Sequence, residues 1–323
     1  MREPTRRWRA ALLLFVVYSF LLIACGHLGK QGSSGSTSAS QAEQVELSFG
    51  GLSRTALVHL PSVDSEAPMP VVLVFHGGGG TAESMERFSS FDSVADRGQF
   101  IAVYPQGYRR SWADGRGTAS ADKAQVDDVG FINALLDKLE QQYNVDQRQI
   151  FATGLSNGAF FSQRLGCELS DRIAAIAPVA GTLEASFASS CQPAHPVSVL
   201  EIHGTVDPLV PYKGGVMRGL GGRSTILSAE DAVGKWAAIA GCSPSPTTAT
   251  MPDQVDDGTH LATQVFSGCT SGVAIELYEV EGGGHTWPGG KQYLPVFLIG
   301  KTTHQFYASN TIWEFFAAHP ANS

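Results

Sequence analysis

The sequence predicts an α/β fold, with a mostly parallel central sheet and helices on both faces. Three observations predict it. Short, β-branched apolar runs alternate with helical patterns along most of the chain. One run, Val71-Val72-Leu73-Val74-Phe75, is continuously apolar and ends in glycines, as a strand buried on both faces does. Gly154-Leu155-Ser156-Asn157-Gly158 lies between a strand pattern and a helix pattern, where a sharp turn must join the two.

The elements follow in order. Arg2, Arg6, Arg7 and Arg9 precede an apolar run over 10–23, too short to span a bilayer comfortably and typical of a secretory leader. Leu22-Ile23-Ala24-Cys25 resembles the bacterial lipobox, which implies a leader over 1–25 and lipidation at Cys25. Thr5-Arg6-Arg7 hints at twin-arginine export, and the route stays open. Residues 26–44 are rich in Ser, Gly, Ala and Gln, too polar to bury a core, and read as a flexible tether. The catalytic domain is expected over 45–323. Segments 45–49 and 55–60 read as a hairpin around Gly50-Gly51; 71–75, 101–104, 149–153, 174–180, 197–202 and 274–280 read as strands. Helical patterns fall at 84–97, 128–143, 158–165, 229–240 and 309–319. Loops 209–223 and 288–303, rich in Gly and aliphatics, are expected to form an apolar rim or lid.

The chain of 323 residues is 43% hydrophobic and 16% charged with a formal net charge of -8, a globular composition without a basic patch beyond the N-terminus. Nucleic acid is therefore not an expected partner, and membrane contact is expected only through a lipid anchor. Setting Cys25 aside leaves Cys167, Cys191, Cys242 and Cys269. An even number in an exported chain implies disulfides, and of three pairings the two nearest in sequence, Cys167 with Cys191 and Cys242 with Cys269, are favoured. No C-x-x-C pair or nearby His suggests a metal site.

The chemistry is expected where buried parallel strands end. Ser156, in G-x-S-x-G between strand and helix, is the candidate nucleophile, because the turn lifts its hydroxyl into a cleft beside free helix N–H groups. His76-Gly77-Gly78-Gly79-Gly80 ends the strand at 71–75; its bare backbone, with the N–H of Asn157 and one N–H of Gly78 or Gly79, suits an oxyanion hole. No G-K-[ST] follows these glycines, which argues against a phosphate loop. His76 reads as a structural hydrogen-bonding group. Hydrolases built this way place the acid and then the base after the nucleophile. Asp207 in His203-Gly204-Thr205-Val206-Asp207-Pro208 is the expected acid; Asp231, Asp253, Asp256 and Asp257 are its rivals. His285, in Gly282-Gly283-Gly284-His285-Thr286-Trp287-Pro288, is the expected base, ahead of His203, His304 and His319.

With these residues placed, the chain resembles the polyhydroxybutyrate depolymerase-type esterases, which overlap feruloyl and acetylxylan esterases of carbohydrate esterase family one. The matching segments include 76–80, Tyr104-Pro105-Gln106-Gly107, Val126-Asp127-Asp128-Val129-Gly130-Phe131, 154–158, 203–207 and 282–290. The resemblance implies the α/β-hydrolase fold, ester cleavage without metal or organic cofactor, the triad Ser156, Asp207 and His285, and an acyl pocket lined by Trp112 and Trp287. Asp127 and Asp128 open a helix and read as structural. Extracellular polymer depolymerases carry a linker and a polymer-binding domain, neither of which appears here. Feruloyl or acetyl esters of polysaccharides, or short hydroxyalkanoate esters, are therefore favoured over solid polyester. A peptidase of the same fold and a catalytically dead surface binding protein are the alternatives.

Overall fold

A computed structural model describes residues 42–62, 67–219, 222–270 and 272–321. The expected leader with Cys25, and the tether as far as residue 41, lie outside the described residues. Order begins slightly before the expected domain start: β1 (Glu43–Phe49) turns through Gly50 and Gly51 and pairs antiparallel with β2 (Leu52–His59). Then come β3 (Met69–Phe75), α1 (Ala82–Ser89), α2 (Phe91–Gly98), β4 (Ile101–Pro105), α3 (Ser120–Lys123), α4 (Asp128–Gln142), β5 (Val145–Leu155) and α5 (Asn157–Glu168). The remainder is β6 (Ala175–Val179), α6 (Ala185–Ser190), β7 (Ser198–Gly204), β8 (Gly215–Gly219), β9 (Gly222–Ile226), α7 (Ala229–Ile239), β10 (Thr247–Thr250), β11 (His260–Phe266), β12 (Ile275–Glu281), α8 (Val296–Ile299) and α9 (Ala308–Ala318).

Ten strands form one sheet in the order β1-β2-β4-β3-β5-β6-β7-β12-β11-β10. The middle six run parallel, and antiparallel strands flank them on each side. Strand side chains alternate between faces. Val71, Leu73, Phe75, Ile101 and Val103 thus enter one core cluster, and Val72, Val74, Ala102 and Tyr104 the other. This explains the unbroken apolar run at 71–75: neither face meets water.

Two expectations need correction. The helix expected over 84–97 is two helices, because Ser90 adopts φ 56° and its N–H caps the Glu86 carbonyl. The bend lets Phe91 sink into the core, edge-on to Phe100 and Trp287. The loop over 209–223 contains β8 and the start of β9, a two-stranded hairpin separate from the main sheet. Strands β10 and β11, which the sequence patterns do not predict, extend the sheet beyond β12, joined by the polar loop that holds residues 253–257. β10 is hidden by its exposed threonines and short length, which weaken the period-two signal, whereas β11 does alternate buried Leu261 and Thr263 with less buried neighbours.

Cys167, at the end of α5, is bonded to Cys191 just after α6, and Cys242, after α7, to Cys269 beyond β11. A buried ion pair joins the first hairpin to α4: Arg54 meets Asp128 at 2.6 Å and lies over the Phe131 ring. Asp128 also accepts the Ala113 N–H, while Asp127 caps α4 by accepting from Gly130, so both acids serve the fold.

His76 ties the end of β3 to the loop after β4. Its Nδ1 lies 2.8 Å from the Gly77 carbonyl, to which it donates, and its Nε2 accepts the Gly107 N–H at 3.0 Å. Burial holds this imidazole down to about 4, so it stays neutral. Folding therefore disfavours its protonation, and the unfolded chain binds the proton more readily. The resulting stability is fully present above pH 6.5, the ordinary value, and is lost as pH falls towards 4. Relative to His76→Asn, the wild type should lose on the order of 3 kcal/mol over that interval, measured by denaturant unfolding at several pH values. Each disulfide closes a loop of about 25 residues and contributes about 3 kcal/mol. Replacing Cys242 and Cys269 together by Ser should lower the unfolding free energy by about that amount, as read from urea titrations.

Candidate active site

β5 delivers Ser156 at its carboxyl end. The residue has φ 58° and ψ -116°, outside the regions an L-residue normally occupies, at a cost of about 1–3 kcal/mol. Its backbone is fixed on both sides: the N–H donates to the Val179 carbonyl at 2.9 Å, and the C=O accepts from Ala159 and Phe160 at 2.9 and 3.0 Å. The turn needs small neighbours. A Cβ at Gly154 would lie 2.7 Å from the Phe75 carbonyl oxygen, and one at Gly158 would press still closer on that atom. Strand β3, strand β5 and helix α5 therefore meet backbone to backbone.

The glycine segment after β3 lies against this turn. A Cβ at Gly77 would be 3.6 Å from that of Ser156, and one at Gly78 3.7 Å from that of Asn157. The N–H of Gly79 is already donated to the Arg110 carbonyl at 2.8 Å, a consequence of its left-handed φ of 80°. Of the two glycines considered as oxyanion donors, Gly79 is thereby removed and Gly78 remains.

Asp207 and His285 are brought together. Asp207 follows β7 and His285 follows β12, its neighbour in the sheet. Nδ1 of His285 lies 2.8 Å from Oδ2 of Asp207, and both side chains are buried. The other oxygen, Oδ1, accepts the N–H groups of Leu209 and Val210, each at 2.8 Å. With the acid so occupied, Nδ1 of His285 is the donor and Nε2 is left to accept. The loop is braced behind: His285 N–H donates to Ile299, and the Tyr293 hydroxyl donates to the His285 carbonyl at 3.0 Å. β5, β6, β7 and β12 are parallel neighbours, so Ser156, Asp207 and His285 stand at the same edge of the sheet. Four of the rival residues are engaged elsewhere. Asp253 pairs with His260, Asp257 with Thr259 and the His304 N–H, and Asp231 with Ser228; His319 donates to Phe315.

Both tryptophans assigned to the acyl pocket belong to the core instead. Trp112 is fully buried, stacked on Phe161 at 5.0 Å, with its indole N–H donated to the His76 carbonyl. Trp287 is buried against Phe91 and donates to Ser309. Their indole N–H groups and ring faces are satisfied internally, which leaves no surface for a substrate.

Sequence reasoning missed the polar residues that hold this site. The Asn157 side chain accepts the Trp112 N–H at 2.8 Å and donates both to the Trp112 carbonyl and to buried Asp114. Arg116 grips Asp114 through Nε and Nη2 at 2.8 and 2.6 Å. Burial, together with the charge of Asp114, pushes neighbouring Asp122 up to about 6. A second missed residue is Glu201, the buried partner in β7 of His203, which the sequence offers only as a rival base. Here a signal existed: a Glu and a His inside the apolar stretch Val199-Leu200-Glu201-Ile202-His203.

Comparison with known proteins agrees with this architecture. A family model described as phospholipase/carboxylesterase matches residues 62–219. The Nocardia uniformis subsp. tsuyamanensis protein named "Putative esterase NocK" is 31% identical over 268 residues, covering 76% of this chain and 73% of that protein. Feruloyl esterase B of Piromyces equi is 29% identical across 74% of this chain, which spans less than half, 44%, of that longer protein. Among solved structures, the acetyl xylan esterase from Aspergillus awamori superposes with a TM-score of 0.55, covering 85% of this chain and 99% of that one at 13% identity, and so shares the fold. The chain belongs to the phospholipase/carboxylesterase family of α/β-hydrolases and is a carboxylic ester hydrolase.

Proposed function

We propose that the protein is an exported serine esterase that works through an acyl-enzyme, with Ser156 as nucleophile, His285 as base and Asp207 as the acid that orients it. The observation that carries this reading is the buried 2.8 Å contact between His285 Nδ1 and Asp207 Oδ2, at the edge of the sheet where Ser156 sits on a strained turn. Ser156 Oγ attacks the ester carbonyl carbon and its proton passes to Nε2 of His285. The tetrahedral oxyanion takes N–H groups from Asn157 and Gly78, a donor of this kind contributing about 3–4 kcal/mol. The imidazolium then protonates the departing alkoxide, and the acyl group remains on Ser156. Water, deprotonated by His285, repeats the attack and releases the acid with Ser156 restored.

The substrates favoured are feruloyl or acetyl esters of polysaccharides, or short hydroxyalkanoate esters. Support comes from the relative named feruloyl esterase B and from apolar side chains exposed next to the acid and in the loop that braces His285: Val206, Leu209, Val296 and Phe297. Export is supported by two disulfides, which persist in oxidising compartments. In this reading residues 1–25 are the leader, Cys25 carries the lipid, and a tether runs from residue 26 to Glu43, where β1 and the hydrolase domain begin. No helix among the described residues is long and apolar enough to cross a membrane.

Ser156→Ala should fold normally, fail to react with a fluorophosphonate probe and lose turnover by a factor on the order of 10⁶, with His285→Ala close to it because such residues act as a unit. Probe labelling mapped by mass spectrometry and p-nitrophenyl acetate hydrolysis check both; turnover near the wild-type rate in Ser156→Ala would end the assignment. A panel of methyl ferulate, acetylated xylan and a hydroxybutyrate oligomer ranks the substrates. Cys25→Ser should move the protein from the membrane to the soluble fraction on cell fractionation.

A further inference from the structure

The buried side chains behind Asp207 form an unbroken polar chain through the sheet edge. Trp236, on α7, donates its indole N–H to Gln163 Oε1 at 2.6 Å. Because the indole can only donate, the Gln163 amide is oriented, and its Nε2 faces Glu201 Oε2 at 2.8 Å. Glu201 Oε1 lies 3.3 Å from His203 Nδ1, and His203 Nε2 lies 2.9 Å from the Val210 carbonyl. The same Nε2 is 3.6 Å from Asp207 Oδ2, the oxygen that receives His285. Val210 closes the circuit by donating its N–H to Asp207 Oδ1. Gln163, Glu201, His203 and Trp236 are all at most 1% exposed.

We propose that Glu201 and His203 form a second, wholly buried acid–imidazolium pair behind Asp207, which positions that carboxylate through Val210 and holds a positive charge against it. The inference rests on the triad reading given above.

Donor counting sets the proton positions. A carbonyl only accepts, so the Val210 oxygen requires a proton on His203 Nε2. Gln163 donates to Glu201 Oε2, so the one remaining proton lies between Glu201 Oε1 and His203 Nδ1. On Nδ1 it makes His203 a cation flanked by two carboxylates, Glu201 and Asp207. Burial opposes a charge on either partner and pushes Glu201 up to about 7, while the hydrogen bond and charge of Glu201, with Asp207 beyond, raise His203 above the ordinary imidazole value; the second carboxylate, 3.6 Å from Nε2, favours the shared proton on the imidazole. The other groups facing His203 do not change this. Tyr212 lies edge-on at 5.9 Å, its hydroxyl raised by burial and by Glu279 and Glu230, so it stays a neutral phenol. Glu279, opposite His203 in the β7–β12 register, adds a further negative charge.

The consequence for catalysis follows from charge. A cation on one side of Asp207 competes with the proton that His285 would otherwise hold on the other side, and so keeps His285 free to accept from Ser156 at lower pH. Glu201 and His203 touch no substrate in this scheme; they act through Asp207.

Glu201→Gln tests this with little change of shape. The new amide can accept from Gln163 and donate to a neutral His203 Nδ1, keeping both hydrogen bonds and removing the charge pair. With p-nitrophenyl acetate, the acid limb of kcat/KM should move to higher pH by about one unit, a loss of about tenfold on that limb that recovers at alkaline pH. A profile superimposable on that of the wild type, or a loss uniform across pH, would overturn the proposal. Should the variant not fold, ¹⁵N spectra of the wild-type imidazoles decide: His203 protonated on both ring nitrogens at pH 7 supports the proposal, and a neutral Nε2–H tautomer refutes it. Fluorophosphonate labelling separates the two levels of argument. If the wild type is not labelled at Ser156, the triad reading itself fails; if it is labelled and the limb does not move, only the present inference fails.

Discussion

The turn at Ser156 depends on two missing side chains. Gly154 and Gly158 let the end of β5 and the start of α5 press on the carbonyl of Phe75, and any Cβ at either position would collide with that backbone. The close approach fixes Ser156 in a conformation that costs energy, and the surroundings over-determine it. It also places the glycine segment after β3 beside the first N–H groups of α5. Much of the rest serves to hold this junction: His76 clamps the end of β3 to the following loop, and Trp112 packs under both.

Around that junction the protein buries charge, and each buried charge has a partner. Arg54 with Asp128, Arg116 with Asp114, and Asp207 with His285 are all nearly excluded from water. Such pairs are weak contributors to net stability but strong specifiers of geometry, since removing one partner strands the other. Asn157 shows the economy of the arrangement: its backbone opens helix α5 beside the strained turn, while its side chain is fully engaged by Trp112 and Asp114. The same residue therefore both opens the helix and locks the segment that supports it.

How much of this could be read from the sequence varied with the physics of each element. The buried parallel strands were legible, because a strand hidden on both faces must be apolar throughout, as Val71 to Phe75 are. The strand–Ser156–helix junction was legible for the steric reason above. The edge strand β10 was not, since exposed Thr247, Thr248 and Thr250 carry no core-facing period. The break at Ser90 was invisible because a polar residue adopting a left-handed turn leaves no compositional mark. At the site, the meeting of Asp207 and His285 followed from chain order and strand ends, whereas the assignment of Trp112 and Trp287 to the pocket failed, since a family resemblance does not say which way a ring points. Gly79 failed as a donor for a local reason, its φ, which only coordinates reveal.

The helix that begins at Ser156 also ends in a covalent tie, for Cys167 in its last turn is bonded to Cys191. Backbone contacts already fix the end of the helix at Ser156, and the disulfide fixes the opposite end. Anchored at both ends, the helix is held between the sheet and the Cys191 segment, so reduction of the bond would free one end while backbone contacts still pin the other.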